Sequence, residues 1–282
     1  DQDLSLVTGT PRLYRLIFGL SRPRQTIPGI ELAGVVEALG PGVTRWRLGD
    51  KVYGDTSDGG MGAFAEFVAV KETELRRIPD GLSFVDAAAI PHALELAYQA
   101  VKDIGDLKAG ERVLLNGAGG GVGTFAWQLA KQQGCTVWGV DTGDKKLQAM
   151  RDLGFDHVID YKQQDFTKLG ERFDLIVDMK TKRSPRAIAR ALAPDGHYVT
   201  VGGDPGRLIA LLVARLLGRR NMHIVALRSN RNLDELAPLI SKGILKPLID
   251  GPYPLEDAPR LVRYFGEGRH TGKVVMEVGG AR

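Results

Sequence analysis

The chain has 282 residues, 43% of them hydrophobic and 26% charged, with a formal charge of +4, enough for one large domain or two modest ones and incompatible with a disordered chain. Its longest purely apolar stretch, around Leu208 to Ala214, is far too short to span a bilayer, so the protein is expected to be no membrane span. The single cysteine, Cys135, excludes a disulfide framework, a cysteine-rich zinc site and a thiolate cluster, and it points to a reducing, cytoplasmic setting.

In chain order, residues 27 to 82 come first. They combine short Val/Leu runs with turn signals at Gly40-Pro41-Gly42, Gly49-Asp50 and Asp58-Gly59-Gly60, and read as β-rich structure with few helices. From about residue 110 apolar, often β-branched runs alternate with amphipathic ones. The runs Arg112 to Asn116, Thr136 to Val140, His157 to Asp160, Phe173 to Asp178, His197 to Gly202 and Met222 to Leu227 predict six strands covered on both faces. Helices are predicted at Val122 to Gly134, at Asp144 to Leu153, after the Ser184-Pro185 cap, at Arg207 to Leu217 and at Asn232 to Lys242. A helix around Asp257 to Gly266 and a strand at Lys273 to Val278 close the chain. The expected fold class is α/β: a six-stranded doubly wound parallel sheet of Rossmann type, residues 93–245, inserted in a discontinuous β-rich domain made of residues 1–92 and 246–282.

Thirty-six glycines make a large excess with no G-X-Y period, so they serve turns and close backbone approaches. Their densest run, Asn116-Gly117-Ala118-Gly119-Gly120-Gly121-Val122-Gly123, sits where a predicted strand hands over to a helix. Such a turn brings backbone amides and a helix N-terminus up to a pyrophosphate. The spacing departs from G-x-G-x-x-G, because the corresponding positions are Ala118, Gly120 and Gly123, and a turn needed only for packing is the plain alternative. The preceding strand, the following helix and Asp141 at the end of the next strand favour a dinucleotide.

Asp141 would accept from the adenosine ribose hydroxyls and repel a 2′-phosphate, which favours NAD(H). Lys145, Lys146 and Tyr161 lie nearby and could pair with a phosphate, which keeps NADP(H) open, although the lysines also suit a solvated helix start. Gly202 and Gly203 end the fifth strand on the edge where open sheets bind ligands, and Lys180 lies on the same edge, either there or as a solvated loop charge. The expected cofactor-binding set is therefore Gly117, Gly119, Gly120, Gly121, Val122, Gly123, Asp141, Lys146, Tyr161, Lys180, Gly202 and Gly203.

Six segments in order resemble the medium-chain dehydrogenase/reductase superfamily, in its zinc-independent quinone-oxidoreductase-like branch. They are Gly29-Ile30-Glu31-Leu32-Ala33-Gly34-Val35-Val36, Gly49-Asp50-Lys51-Val52, Ala97-Tyr98-Gln99-Ala100, the glycine loop, Leu153 to Tyr161, and Gly272-Lys273-Val274-Val275. The resemblance implies a GroES-like domain built from both chain ends, a Rossmann domain, a cofactor in the cleft between them, and usually a homodimer. It implies hydride transfer from NAD(P)H to a quinone or an α,β-unsaturated carbonyl. It also implies a further stretch of the first domain ahead of Asp1, where a targeting segment could also stand.

Zinc members of the superfamily use a Gly-His-Glu motif and a cysteine. Here Ile30 replaces the histidine, Cys135 approaches the second Rossmann strand, and His92, His157, His197, His223 and His270 show no paired spacing, so all five histidines are read as structural or surface residues and no zinc is expected. The branch often has threonine where this chain has Leu96, and no catalytic residue is assigned.

Other chemistries lack their signatures: there is no G-x-S-x-G elbow, and Gly268 to Lys273 runs into Val274 where a phosphate loop needs Ser or Thr. The alternative from another class is a nucleic-acid or protein-partner binder using segment 205–233, which holds Arg207, Arg215, Arg219, Arg220, Arg228 and Arg231 and no acid. Without those six the rest of the chain is slightly acidic. No aromatic stacking platform accompanies the arginines, so a solvated helix near a dimer surface is the preferred reading and nucleic acid is not expected.

Overall fold

A computed structural model describes residues 2–10, 19, 24–219 and 221–279. The chain forms two compact units, one of residues 1–95 with 228–282 and one of residues 96–227.

The first unit opens with α1 (Gln2–Thr8), whose Asp3 accepts the Gly29 amide at 2.6 Å. Gly29 has φ +101°, and a Cβ there would lie 2.5 Å from the Phe64 nitrogen, so the position requires glycine. Strands β1 (Glu31–Val35), β2 (Lys51–Asp55) and β3 (Leu75–Arg77) form an antiparallel sheet in that order, with Trp46, Val52 and Leu75 as its core. Ser83 caps α2 (Phe84–Ala88) by accepting from the Asp86 amide, and α3 (Pro91–Tyr98) follows.

The second unit carries β4 (Arg112–Asn116), α4 (Gly121–Gln132), β5 (Thr136–Asp141), α5 (Asp144–Leu153), β6 (His157–Asp160), β7 (Phe173–Asp178), α6 (Pro185–Ala191), β8 (Leu192–Thr200), α7 (Pro205–Leu216) and β9 (Met222–Ile224). The six strands lie in the order β6-β5-β4-β7-β8-β9 and every neighbouring pair is parallel, the doubly wound arrangement the sequence predicts. Leu114, Leu115, Leu175, Ile176 and Val177 are wholly buried, which is why these strands read as unbroken apolar runs.

Three strands of the parallel sheet differ from expectation in their limits: β5 runs on to Asp141, β8 ends at Thr200, so that Gly202 and Gly203 lie just past it, and the start of β8 and the end of β9 also move. Strand β8 begins at Leu192, directly from α6, because Pro194-Asp195-Gly196 forms an irregularity within the pairing and not a turn before it. Strand β9 stops at Ile224.

The chain then returns to the first unit through α8 (Leu233–Ser241), β10 (Ile249–Pro254), α9 (Ala258–Gly266) and β11 (Lys273–Glu277), with β10 and β11 parallel. Residues 228–245 fall with this unit, whereas the alternating pattern of the sequence extends the inserted domain to residue 245. The cause is local bonding: Glu95 accepts the Asn230 and Asn232 amides, and Arg76 pairs with Asp234 at 2.8 Å.

Candidate functional site

The glycine turn sits at the carboxyl end of β4, at the centre of the parallel sheet. Gly117 takes φ +97°, and the Gly117 and Ala118 amides donate to the Val140 carbonyl at 2.8 and 3.1 Å, which ties the turn to β5. A Cβ on Gly123 would meet the Ala118 Cα at 2.5 Å, so that glycine lets helix α4 close onto the turn. Thr124, donating to the Gly120 carbonyl, is the first α4 amide shown with an acceptor in that turn. The amides of Gly121, Val122 and Gly123 precede it, at the positive end of the helix.

Asp141, at the end of β5, is 4% exposed. Its carboxylate accepts the Gly119 amide at 3.0 Å and the Thr142 amide at 2.9 Å, and pairs with Lys146 Nζ at 3.4 Å. Lys146 is itself buried, its stem lying against Gly119 where any side chain would crowd it. This corrects the solvated-helix-start reading of Lys146: the ammonium neutralises the Asp141 charge from within the fold. Tyr161 donates its amide to the Asp141 carbonyl at 3.0 Å and exposes its ring, and burial together with the charges of Asp141 and Asp160 pushes its hydroxyl up.

On the other side of β4, Lys180 is exposed just past β7 with its stem near Gly117. Gly203 has φ +143°, and a Cβ there would lie 2.5 Å from the Thr181 Cβ. The Gly202 carbonyl accepts the Thr181 hydroxyl at 2.5 Å and the Thr200 hydroxyl at 2.6 Å. All twelve predicted residues thus lie at the carboxyl edge of one sheet: six in the turn itself, Asp141, Lys146 and Tyr161 beside it on the β5–β6 side, and Lys180, Gly202 and Gly203 as a second flanking group on the β7–β8 side.

A buried polar network that the sequence does not announce supports the second group. Asp178, fully buried at the end of β7, accepts from Asn116 Nδ2, from the Lys180 and Thr181 amides, each at 2.8 Å, and from the Tyr198 hydroxyl at 2.9 Å. Burial and the Asp178 charge push the Tyr198 hydroxyl well above its ordinary range. Thr181 has φ +43°, unusual for a β-branched residue, and is held there by its bonds to Asp178, Thr200 and Gly202. The one signal in the sequence is a polar residue ending each of two apolar strands, Asn116 and Asp178.

Among the described residues no group of three or more His, Cys, Asp or Glu converges as a metal site. Cys135 is buried, its thiol pushed up by burial and donating to the Lys108 carbonyl at 3.3 Å, so it is no ligand. His157 stacks on Trp138, His197 on His223 and His270 on Phe265. His92 differs, because its Nδ1 lies 2.6 Å from the buried Asp55 carboxylate.

A parallel sheet in this order, with a glycine turn and a following acid at its carboxyl edge, defines a dinucleotide-binding fold of the dehydrogenase class. Comparison with known proteins narrows it. Residues 2–80 match the alcohol dehydrogenase GroES-like domain, and residues 153–276 match the family described as zinc-binding dehydrogenase. The chain belongs to the medium-chain dehydrogenase/reductase superfamily and is quinone-oxidoreductase-like. It is 32% identical over 263 residues to 2-methylene-furan-3-one reductase of Solanum lycopersicum and 30% identical over 263 residues to the chloroplastic NADPH-dependent alkenal/one oxidoreductase of Arabidopsis thaliana. Each match covers 90% of this chain and 64% of the relative, so the chain spans about two thirds of their length at most. The quinone oxidoreductase of Coxiella burnetii superposes with a TM-score of 0.77 at 26% identity, over 89% of this chain and 79% of that one.

Among the described residues the donors do not fit the zinc of the matched family's description. The nucleic-acid alternative finds no support. Arg207, Arg215 and Arg219 lie on one unit and Arg228 and Arg231 on the other, while Arg220 is outside the described residues. Arg215 is spent on the Met222 carbonyl and His223. No helix among the described residues is long and apolar enough to cross a membrane.

Proposed function

We propose that this chain carries the reduction of quinones or α,β-unsaturated carbonyls by NAD(P)H. The observation that carries the reading is the Gly117–Gly123 turn joined to Asp141 at the carboxyl edge of the sheet. Both names among its plant relatives are reductases or oxidoreductases of such carbonyl compounds.

The bound nicotinamide supplies the hydride. The Gly121, Val122 and Gly123 amides offer donors to a pyrophosphate, and the missing side chains allow its approach. Asp141 orients the adenosine ribose, with Lys146 balancing its charge. Gly202, whose carbonyl is held by Thr181 and Thr200, has open space where a side chain would stand and would leave room there for the nicotinamide ring, while Gly203 makes room for Thr181. Reduction of a conjugated acceptor spreads the developing negative charge, so hydrogen bonds suffice where an unactivated carbonyl would need a Lewis acid.

The carboxylate at Asp141 favours NADH by the ribose argument, but it is not a bare charge. Lys146 neutralises it, and Lys145 and Tyr161 stand exposed beside it, so the electrostatic objection to a 2′-phosphate falls away. Our reading is a site that accepts both nucleotides, with NADPH at least as good as NADH. Titration of the full-length protein with each nucleotide, followed by quinone and enone acceptors, tests this. Failure to oxidise either nucleotide with any acceptor would refute the reductase reading.

A homodimer belongs to the same reading. Strand β9 is an open sheet edge, and α7 beside it turns Ile209, Leu212, Val213 and Leu216 outward, Leu216 at 86% exposure. Light scattering on the wild type and on Leu212→Glu with Leu216→Glu tests it, with the substituted protein expected as monomer.

A further inference from the structure

We infer that Glu95 is a positioning residue that ties together the two places where the chain crosses between its compact units. The outward crossing falls between Glu95 and Leu96, and the return between Leu227 and Arg228. Glu95 is the last residue before the first crossing, and its carboxylate holds the segment just after the second. Oε2 accepts the Asn230 amide at 2.5 Å and Oε1 the Asn232 amide at 2.8 Å, with the side chain wholly buried.

The return segment is shaped to receive this bond. Asn230 takes φ +59° and pairs its side chain with the Asp55 backbone in both directions, accepting from Asp55 N at 2.8 Å and donating to Asp55 O at 2.7 Å. Arg76 donates to the Asn230 carbonyl at 2.6 Å, and Ser57 bonds Ser229 at 3.0 Å. A left-handed asparagine, a buried acid and an arginine converge on three residues that contribute little apolar packing. Their bonding therefore serves to fix where the chain returns.

The clamp is sensitive to protonation. Burial pushes the Glu95 carboxyl up to about 7, against the lowering effect of the two amides. The charges around it are Asp55 on β2, which raises it further, and Arg76 on β3, which lowers it. The Tyr53 hydroxyl on β2 is also coupled to Glu95, Asp234 on α8 pairs with Arg76, Glu235 on α8 accepts from Asn232 Nδ2, and His92 on α3 is bonded to Asp55. As a carboxylate, Glu95 serves both amides with full acceptors. As a neutral acid, one of its oxygens becomes a hydroxyl and the clamp weakens. The 230–232 segment is thus held more firmly above neutrality than below it.

The consequence for turnover rests on the reductase reading, but the clamp itself does not. Hydrogen exchange of the full-length protein, corrected for intrinsic rates, is measured at residues 230 and 232 from pH 6 to 8. Protection is expected to rise about tenfold across that range, the worth of one charge-assisted hydrogen bond. Glu95→Gln should abolish the rise, and the wild-type profile decides the point even if that variant folds poorly. Protection independent of pH in the wild type overturns the clamp. In parallel, the KM for nucleotide is expected to change slope near pH 7 in the wild type and not in Glu95→Gln, with kcat less affected; an unchanged break in Glu95→Gln counts against the positioning role. A wild type that turns over no acceptor refutes the reductase reading and leaves the exchange result standing.

Discussion

The Asp141 carboxylate accepts the Gly119 amide at 3.0 Å, so the acid at the end of the second parallel strand is bonded into the glycine turn that ends the first. The adenosine and pyrophosphate ends of the proposed site are one mechanical piece. Lys146, buried beside both, completes it.

Lys146→Met should be costly. It leaves a buried carboxylate without its counter-charge, a change that lowers stability by about 3 kcal/mol, read as a lower denaturation midpoint with unchanged slope. Asp141→Ser should shift nucleotide preference instead, raising the NADPH-to-NADH ratio of kcat/KM by about tenfold, since it leaves the Lys146 ammonium without its counter-charge and so attracts a 2′-phosphate. A ratio that stays fixed would remove Asp141 from the adenosine site.

The glycines of the turn are not equivalent. Gly123→Ala places a Cβ 2.5 Å from the Ala118 Cα, a backbone atom that cannot yield, and is expected to cost about 1–3 kcal/mol. Gly120→Ala meets nothing closer than 3.5 Å, at an ordinary φ of −91°, and should leave stability within about 0.5 kcal/mol. Thermal melts of the two variants, side by side, check the contrast.

Glu95 also predicts how global stability depends on pH. Its folded value is raised from 4.5 to about 7, so its contribution is fully present below about 4.5 and is lost as pH rises through about 7. Relative to Glu95→Gln, the wild type should lose about 3 kcal/mol over that interval, at 1.36 kcal/mol per unit. Overall stability thus falls toward neutrality while the local clamp on Asn230 and Asn232 tightens: ionisation strengthens two bonds and costs the burial of a charge. Denaturant titrations of both proteins between pH 4.5 and 8 give the difference directly.

Asp55 behaves in the opposite sense. Burial raises its carboxyl, but hydrogen bonds from His92 and Ser57 outweigh burial and hold it below the ordinary range. Its contribution is therefore present above the usual aspartate range and is lost as pH falls through the folded value. His92→Phe should lower stability at neutral pH by about 3 kcal/mol, with less loss in acid, where Asp55 is neutral in both proteins. An equal loss at all pH values would show that the ring matters only for packing.

The six strands and the glycine turn were legible because each is written in consecutive residues. A buried parallel strand is an unbroken apolar run, and Gly117 to Gly123 stand together. What the sequence concealed depends on partners far along the chain. Lys146 looks like a solvated lysine until Gly119, with no side chain, makes room for its stem. Asp178 draws its donors from Asn116, Thr181 and Tyr198, on three separate segments. Glu95 was visible as the lone acid in the apolar helix Pro91–Tyr98, yet its meaning rests on Asn230 and Asn232, well over a hundred residues later. The compact units divide before α8 and the sequence pattern after it for the same reason, since α8 keeps the alternating rhythm of the sheet while its neighbours hold it to the other unit.

Helix α7 has one more consequence, for handling. Leu216 and Leu217 are 86% and 81% exposed, with Ile209, Leu212 and Val213 about half exposed, so the outward face of a surface helix is oily. Sulfate and phosphate strengthen apolar association by exclusion from the protein surface. The chain should therefore salt out early while still folded, bind phenyl resins tightly, and redissolve intact when the salt is diluted.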